Sequence, residues 1–411
     1  MANPVNLSFH QQNTDVYCGA ACAMMVLRGA GVGISALTQK ELFDDSNSSP
    51  GGDTGNWNSF PDGLVTTLNA EWDAHWQGQP NHPGTRFILF ICDSAADLLQ
   101  VVRATMEDAS LEAAPIVVRS AGAHWITVKQ MDVGPAAAGT GIEPILGFHV
   151  HDPWPPLDPE ADTTPHDDGD QCGSTANKSW PCHHVNLEYW NRKYIRPVNR
   201  AGLWHDKRLA ICLSHDGALA TNHIIEVGGL PDPDVSGAAS GPLLTPGQIK
   251  TIADDLPGTT TFPEGSCLWT ALKGAVADTP LLVEPLDEEE TAYYIVPYRR
   301  RGTEGDDIPL LVIFDAYTGA YEEAVGMPEG TTYDPRWIEP EAIAEEADRA
   351  GNALEPAPDR PEFPFRLVWA PRYETLSRFF PLFVATKVTN QDAVYVRIDT
   401  REFSELTMAQ A

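Results

Sequence analysis

The spacing of hydrophobic and polar positions changes character along the chain. From residue 18 the run CGAACAMMVLR has almost no polar position and GAGVG at 29–33 stops it, which predicts a core helix from Cys18 to about Arg28. ISALTQKELF follows, with Ser35 placed to cap a second helix, and Ser59, Phe60 and Pro61 open a third through DGLVTTLNAEW. In SAADLLQVVRATMED, residues 94–108, Ala96, Leu99, Val102 and Met106 fall on one side of a helix. The period then shortens. PIVVR, HWITVKQM and ILGFHVHD are rich in β-branched and aromatic residues and predict strands, and YWNRKYIRP and KRLAICL extend the sheet. Helices before strands describe an α+β domain with a mainly antiparallel sheet, not repeated βαβ units.

Between the strands lies PWPPLDPEADTTPHDDGDQCGSTANKSWPCHH, residues 153–184, whose turn-forming composition predicts a surface insertion. GGLPDPDVSGAASGPL, residues 228–243, is a linker by composition. It divides the chain into a first domain, 1–227, and a C-terminal α+β module, 244–411. In the module TPGQIKTIADDL predicts a helix, and AYYIVPYRR with PLLVIFDAYTGAYEEA predicts paired strands. EPEAIAEEADRAG, RFFPLFVATKV and AVYVRIDTREFSEL repeat that order, so the module is expected to hold two similar helix-hairpin units, about 244–330 and 331–411.

Composition narrows the partners. With 58 acidic against 27 basic side chains among 411 residues the formal net charge is -31, which repels nucleic acid and anionic membrane surfaces. No stretch approaches the roughly 20 apolar residues that span a bilayer, so no membrane insertion is expected. The N-terminal MANPVNLSFHQQNTD lacks the basic and apolar regions of a secretory signal, which makes the cytoplasm the default location. Seven cysteines, an odd number, leave at least one free thiol.

Cys18 stands where a nucleophile gains most. A helix amino end offers unpaired N–H groups and a partial positive charge, and both lower a thiol pKa. His124 opens the strand HWITVKQM after the small-residue turn SAGA, and Asp152 ends the strand ILGFHVHD before Pro153. A thiol, a base and an acid that orients the base are the parts nucleophilic catalysis needs. Gln12 is the side-chain amide placed upstream to complete an oxyanion hole with the Cys18 N–H. Cys22, one helical turn on, is expected to be core packing, and His149 and His151, on one face of their strand, could serve as alternative bases but are expected to be ordinary strand histidines. His166, Asp167, Asp168, Asp170, Cys172, Cys182, His183 and His184 are metal-ligand types, but their C-x9-C-H-H spacing is no standard zinc arrangement. A polar loop without metal is the expectation there.

Q-x5-C-G-A-A-C, then H-W-x-x-V, then a strand ending D-P, resembles the papain-like cysteine peptidases related to the bacterial peptidases that remove double-glycine leaders from bacteriocins. W-x3-Y-x-x-P-V from Trp190 and G-x-W-H-D-K-R from Gly202 resemble the closing strands of such domains, so the likeness covers about residues 8–227. It implies a papain-like fold and a peptide or protein substrate, with Cys18 as nucleophile, His124 as general base, Asp152 as orienting acid and Gln12 in the oxyanion hole. It implies no cofactor and no metal. The long insertion after Asp152, the shorter DVGPAAAGTGIE and the lack of a transporter segment depart from the leader peptidases, so chemistry carries over and substrate does not. The C-terminal module resembles PepSY-type domains, which accompany peptidases as inhibitory or targeting modules. Two further readings share these residues. One is acyl transfer to an amine, as in transglutaminases or phytochelatin synthases, and the other is a catalytically silent protein that binds peptides in the same cleft.

Overall fold

The computed structural model describes residues 7, 9–14, 16–33, 38–48, 57–77, 84–119, 124–136, 143–154, 182–199, 201–215, 223–233, 241–256, 262, 264, 266–286, 290–300, 307–326, 366–369, 377–379, 381–386, 393–397 and 403–404. The chain divides into two compact units, Met1–Ser236 and Gly237–Ala411. The described residues form a mixed α/β structure.

The first unit opens with α1 (Cys18–Gly29), α2 (Gln39–Ser48) and α3 (Pro61–Trp76). The stretch Ala20 to Leu27 of α1 is buried on every side, as its unbroken apolar sequence requires. Thr38, rather than Ser35, caps α2: its hydroxyl accepts from the Glu41 N–H at 3.2 Å, and its own N–H donates to the Glu41 carboxylate at 2.9 Å. Pro61 starts α3, where its fixed φ and missing N–H cost nothing. Next come β1 (Arg86–Cys92) and α4 (Ala95–Glu107), the latter begun by a reciprocal cap between Ser94 and Asp97. β2 (Ile116–Arg119), β3 (His124–Val133), β4 (Ile145–His151), β5 (Cys182–Asn186), a short α5 (Leu187–Tyr189), β6 (Arg208–Ser214) and β7 (Ile224–Val227) complete the unit. The sheet order is β5-β4-β3-β2-β6-β1-β7. Every neighbouring pair is antiparallel except β1 with β7.

Alternation along the strands feeds two cores. Ile116, Val118, Leu209 and Ile211 pack with α1 and α3 through Met25, Leu64 and Leu68, whereas Val117, Ala210 and Cys212 pack with Leu98 and Val102 of α4. The sheet therefore separates the helix that carries Cys18 from α4.

Two expectations need correction. YWNRKYIRP is not a strand: after α5, Trp190–Tyr194 forms one π-helical turn. Asn186 starts the helix by accepting from the Tyr189 N–H at 2.7 Å, and stacking of Trp190 on Tyr194, 5.6 Å between centroids, favours the coil over extension. The end of the insertion is not at the surface, because Cys182 to Val185 are buried in β5 and pair with β4. β1 and β7 also join the sheet without having been expected. Residues 155–181 of the insertion lie outside the described residues.

In the second unit α6 (Pro246–Asp255) begins with a Thr245–Gln248 capping box. α7 (Cys267–Leu272), β8 (Ala275–Ala277), β9 (Leu281–Pro285), β10 (Tyr293–Arg300), β11 (Asp307–Asp315), β12 (Tyr321–Gly326), β13 (Arg366–Trp369), β14 (Leu382–Thr386), β15 (Ala393–Arg397) and β16 (Phe403–Ser404) follow. The strands run in the order β16-β15-β14-β13-β9-β10-β11-β12, with β8 beside β10. β10 and β11 pair antiparallel, and the D-A-Y-T-G turn closes β11 on β12. There Asp315 accepts from the N–H groups of Tyr317 and Thr318, and Gly319 takes φ +71. EPEAIAEEADRAG, expected as a helix, lies outside the described residues.

Candidate active site

Cys18 is the first residue of α1, and the backbone N–H groups of Gly19 and Trp125 hydrogen-bond its sulfur. Gly19 permits the close approach: a Cβ there would stand 2.6 Å from the Ser59 Cβ. His124, at the start of β3, lies beside Cys18 and sets its Nε2 2.7 Å from Asp152 Oδ1. With Nε2 committed, Nδ1 is the ring nitrogen left for sulfur. It has no partner in full hydrogen-bonding alignment, so thiol and imidazole are adjacent but loosely joined, as is common before substrate arrives. Asp152, just beyond β4, also accepts from Arg119 Nη2 at 2.6 Å and from the Trp154 N–H at 3.1 Å.

The electrostatics follow from burial and from these partners. Burial alone would raise the Cys18 thiol, but the His124 hydrogen bond and charge, with the two backbone N–H groups, bring it below its ordinary value. Burial works against the His124 imidazolium, and Asp152 overcomes it, so the ring is raised. Burial likewise opposes the Asp152 carboxylate, yet the Arg119 and His124 charges hold it far below the usual range. Thiol down and imidazole up is the direction that favours a thiolate-imidazolium pair.

Of the four expected site residues, Cys18, His124 and Asp152 therefore meet. Gln12 is buried beside them through its backbone, whose N–H donates to the Pro153 carbonyl at 3.0 Å. Its carboxamide Nε2 donates to the Thr14 carbonyl at 2.8 Å, which leaves its second N–H for another acceptor. Cys22 is fully buried, and burial drives its thiol upward, in keeping with a packing role. His151 packs its ring edge-on to Phe9, and His149 turns to Asp132, so neither replaces His124.

Two residues at this site escaped the sequence reading. Arg119 ends β2 and spans to Asp152 while its guanidinium lies 5.0 Å from the Tyr194 ring centroid. Gln39, on a helix polar enough to read as surface, is buried: it accepts from the Asn13 N–H at 3.0 Å and donates to the Gln11 carbonyl at 2.7 Å. That clamp holds the segment carrying Gln12. A buried glutamine facing a Gln-Gln-Asn run has no local sequence signature, whereas an arginine ending an otherwise apolar strand is a weak one.

Among the described residues, one other group has metal-ligand chemistry. Asp132, His149 and His184 are buried, with one ligand atom from each lying within 4.8 Å of the others. Among the described residues no helix is long and apolar enough to cross a membrane. No family profile, curated protein or solved structure matches this chain.

Proposed function

We propose that the N-terminal unit is a papain-like cysteine peptidase that hydrolyses peptide bonds. The observation that carries this is geometric: Cys18 starts a helix beside an imidazole whose far nitrogen is held 2.7 Å from a buried carboxylate, and the downward direction of the thiol agrees with it. In this reading Cys18 sulfur attacks the peptide carbonyl carbon, and the oxyanion accepts from the Cys18 backbone N–H and the remaining Gln12 N–H. The His124 imidazolium gives its proton to the departing amine, leaving a thioester. Water, deprotonated by His124, then attacks the thioester, releasing the acid and restoring the thiol pair. Asp152 keeps Nε2–H bonded and the ring turned to sulfur. No cofactor enters this chemistry.

A digest of a broad peptide library by the full chain tests it. Cleavage is expected, with the Cys18→Ala chain slower by about 10³-fold or more. A Cys18→Ala rate equal to the parent sinks the proposal. Added amine separates hydrolysis from acyl transfer, since transfer yields a new amide product.

One observation favours the silent binding protein: Cys18 is 6 % exposed and His124 1 %, so little of either meets solvent. Iodoacetamide separates the two readings. An activated Cys18 is alkylated well below the ordinary thiol range near 8.5. Reaction that tracks unactivated thiols assigns the unit to binding.

A further inference from the structure

Asp132, His149 and His184 come from three adjacent strands, β3, β4 and β5. His149 is the direct cross-strand partner of His184, and Asp132 pairs with Gly147, two residues before His149. All three side chains thus stand on one face, opposite Met131, Phe148 and Val185, which fill the α4-side core. Asp132 Oδ2 lies 3.0 Å from His149 Nε2 and 3.4 Å from His184 Nε2. Two ligands at about 2.0 Å from a tetrahedral ion are about 3.3 Å apart, so both separations match an edge of that polyhedron. The two rings are inclined at 64° rather than stacked, which lets their nitrogens converge on the same oxygen.

The surroundings are built to hold this arrangement. Gln130 Nε2 donates to the other carboxylate oxygen, Oδ1, at 2.9 Å and so fixes which oxygen faces the imidazoles. Gly147 leaves the space in which the His184 ring lies, since a Cβ there would sit 2.6 Å from His184 Nε2.

We propose that Asp132, His149 and His184 bind one divalent transition-metal ion of the zinc class, at a site separate from Cys18 and independent of the peptidase reading. Two imidazoles and a carboxylate suit zinc, cobalt or iron and not calcium or magnesium, which want oxygen shells. Three protein ligands leave one position open to water. The ion would tie β3, β4 and β5 together, and β3 begins at His124 while β4 runs into Asp152.

The test is zinc alone added to the metal-stripped full chain, with bound metal counted after dialysis and the melting temperature followed. One equivalent per chain is expected, with a rise in melting temperature, in the parent and in Cys18→Ala alike. His149→Ala and His184→Ala should lose the stoichiometric metal and the rise. Gln130→Leu keeps all three ligands and should bind about 10-fold more weakly, which guards against an alanine chain that fails to fold. In cobalt, His184→Cys should add a sulfur-to-metal absorption band. Absence of stoichiometric zinc in the parent, unchanged affinity in His184→Ala, or loss of zinc in Cys18→Ala each overturns the proposal.

Discussion

Asp132 and Asp152 are both buried carboxylates that meet imidazoles around β3 and β4, yet their surroundings differ in one charge. Asp152 bonds the Arg119 guanidinium with one oxygen and His124 with the other. Its negative charge is balanced before the histidine is counted, so His124 can hold or release a proton without leaving a bare buried carboxylate. Asp132 has two imidazoles and an amide as its partners, and no guanidinium or ammonium among the described residues. On the two proposals made above, the fixed cation, more than the carboxylate-imidazole pair itself, is what sets the two sites apart.

The sharpest way to break this contrast is Asp152→Asn, which keeps the shape and removes the charge. It should lower peptide hydrolysis by about 10³–10⁴-fold, by analogy with orienting acids in other triads; because it also leaves the buried Arg119 guanidinium without its counter-charge, it should cost about 3–5 kcal/mol of stability as well, so the rate is compared on chain shown to be folded. A rate within a few fold of the parent would remove Asp152 from the machinery. Next in size is Arg119→Met, which leaves the Asp152 charge buried without its guanidinium partner. It should cost about 3–5 kcal/mol, read from the urea midpoint, and should move the Asp152 carboxyl up toward its ordinary range. A loss under about 1 kcal/mol, the size typical of a surface pair, would mean that the guanidinium does not balance that carboxylate.

The smallest effect sharpens the comparison from a third imidazole. His10 is buried near Arg28 rather than a carboxylate; burial first, and then the Arg28 charge, push it down to about 3. The unfolded chain takes up this proton near pH 6.5 and the folded chain only near 3, so stability falls as pH drops through that window. Between pH 6.5 and 5 the loss from this group should be about 1–2 kcal/mol. Asp152 adds nothing to it there, because its depressed carboxyl matters only below about pH 4. Urea midpoints of the parent and His10→Gln at the two pH values measure it. Equal slopes would show that His10 is not the titrating group.

How far such features can be read along the chain depends on their range. The start of α1 at Cys18, the proline start of α3 and the reciprocal cap of α4 follow from neighbours within a few residues. RFILFIC, the strand β1, is apolar almost throughout, a pattern that a buried strand shares with a buried stretch of helix. The strand read into YWNRKYIRP failed because rings four residues apart stack in a coil, a contact that strand propensity does not weigh. His184 read as part of a polar loop because nothing nearby in the chain announces that β4 covers it.

By itself the sequence determined the helix that begins at Cys18, the strand that opens with His124, the strand that leads into Asp152, and the acidic surplus. Tertiary structure decided which charges meet. Arg119 reaches Asp152 across 33 residues, His124 across 28, and His149 reaches Asp132 across 17. These meetings are set by strand register and by core packing on both faces of the sheet. A register slip of one residue would turn each of these side chains to the opposite face, and no residue's local preference encodes that choice.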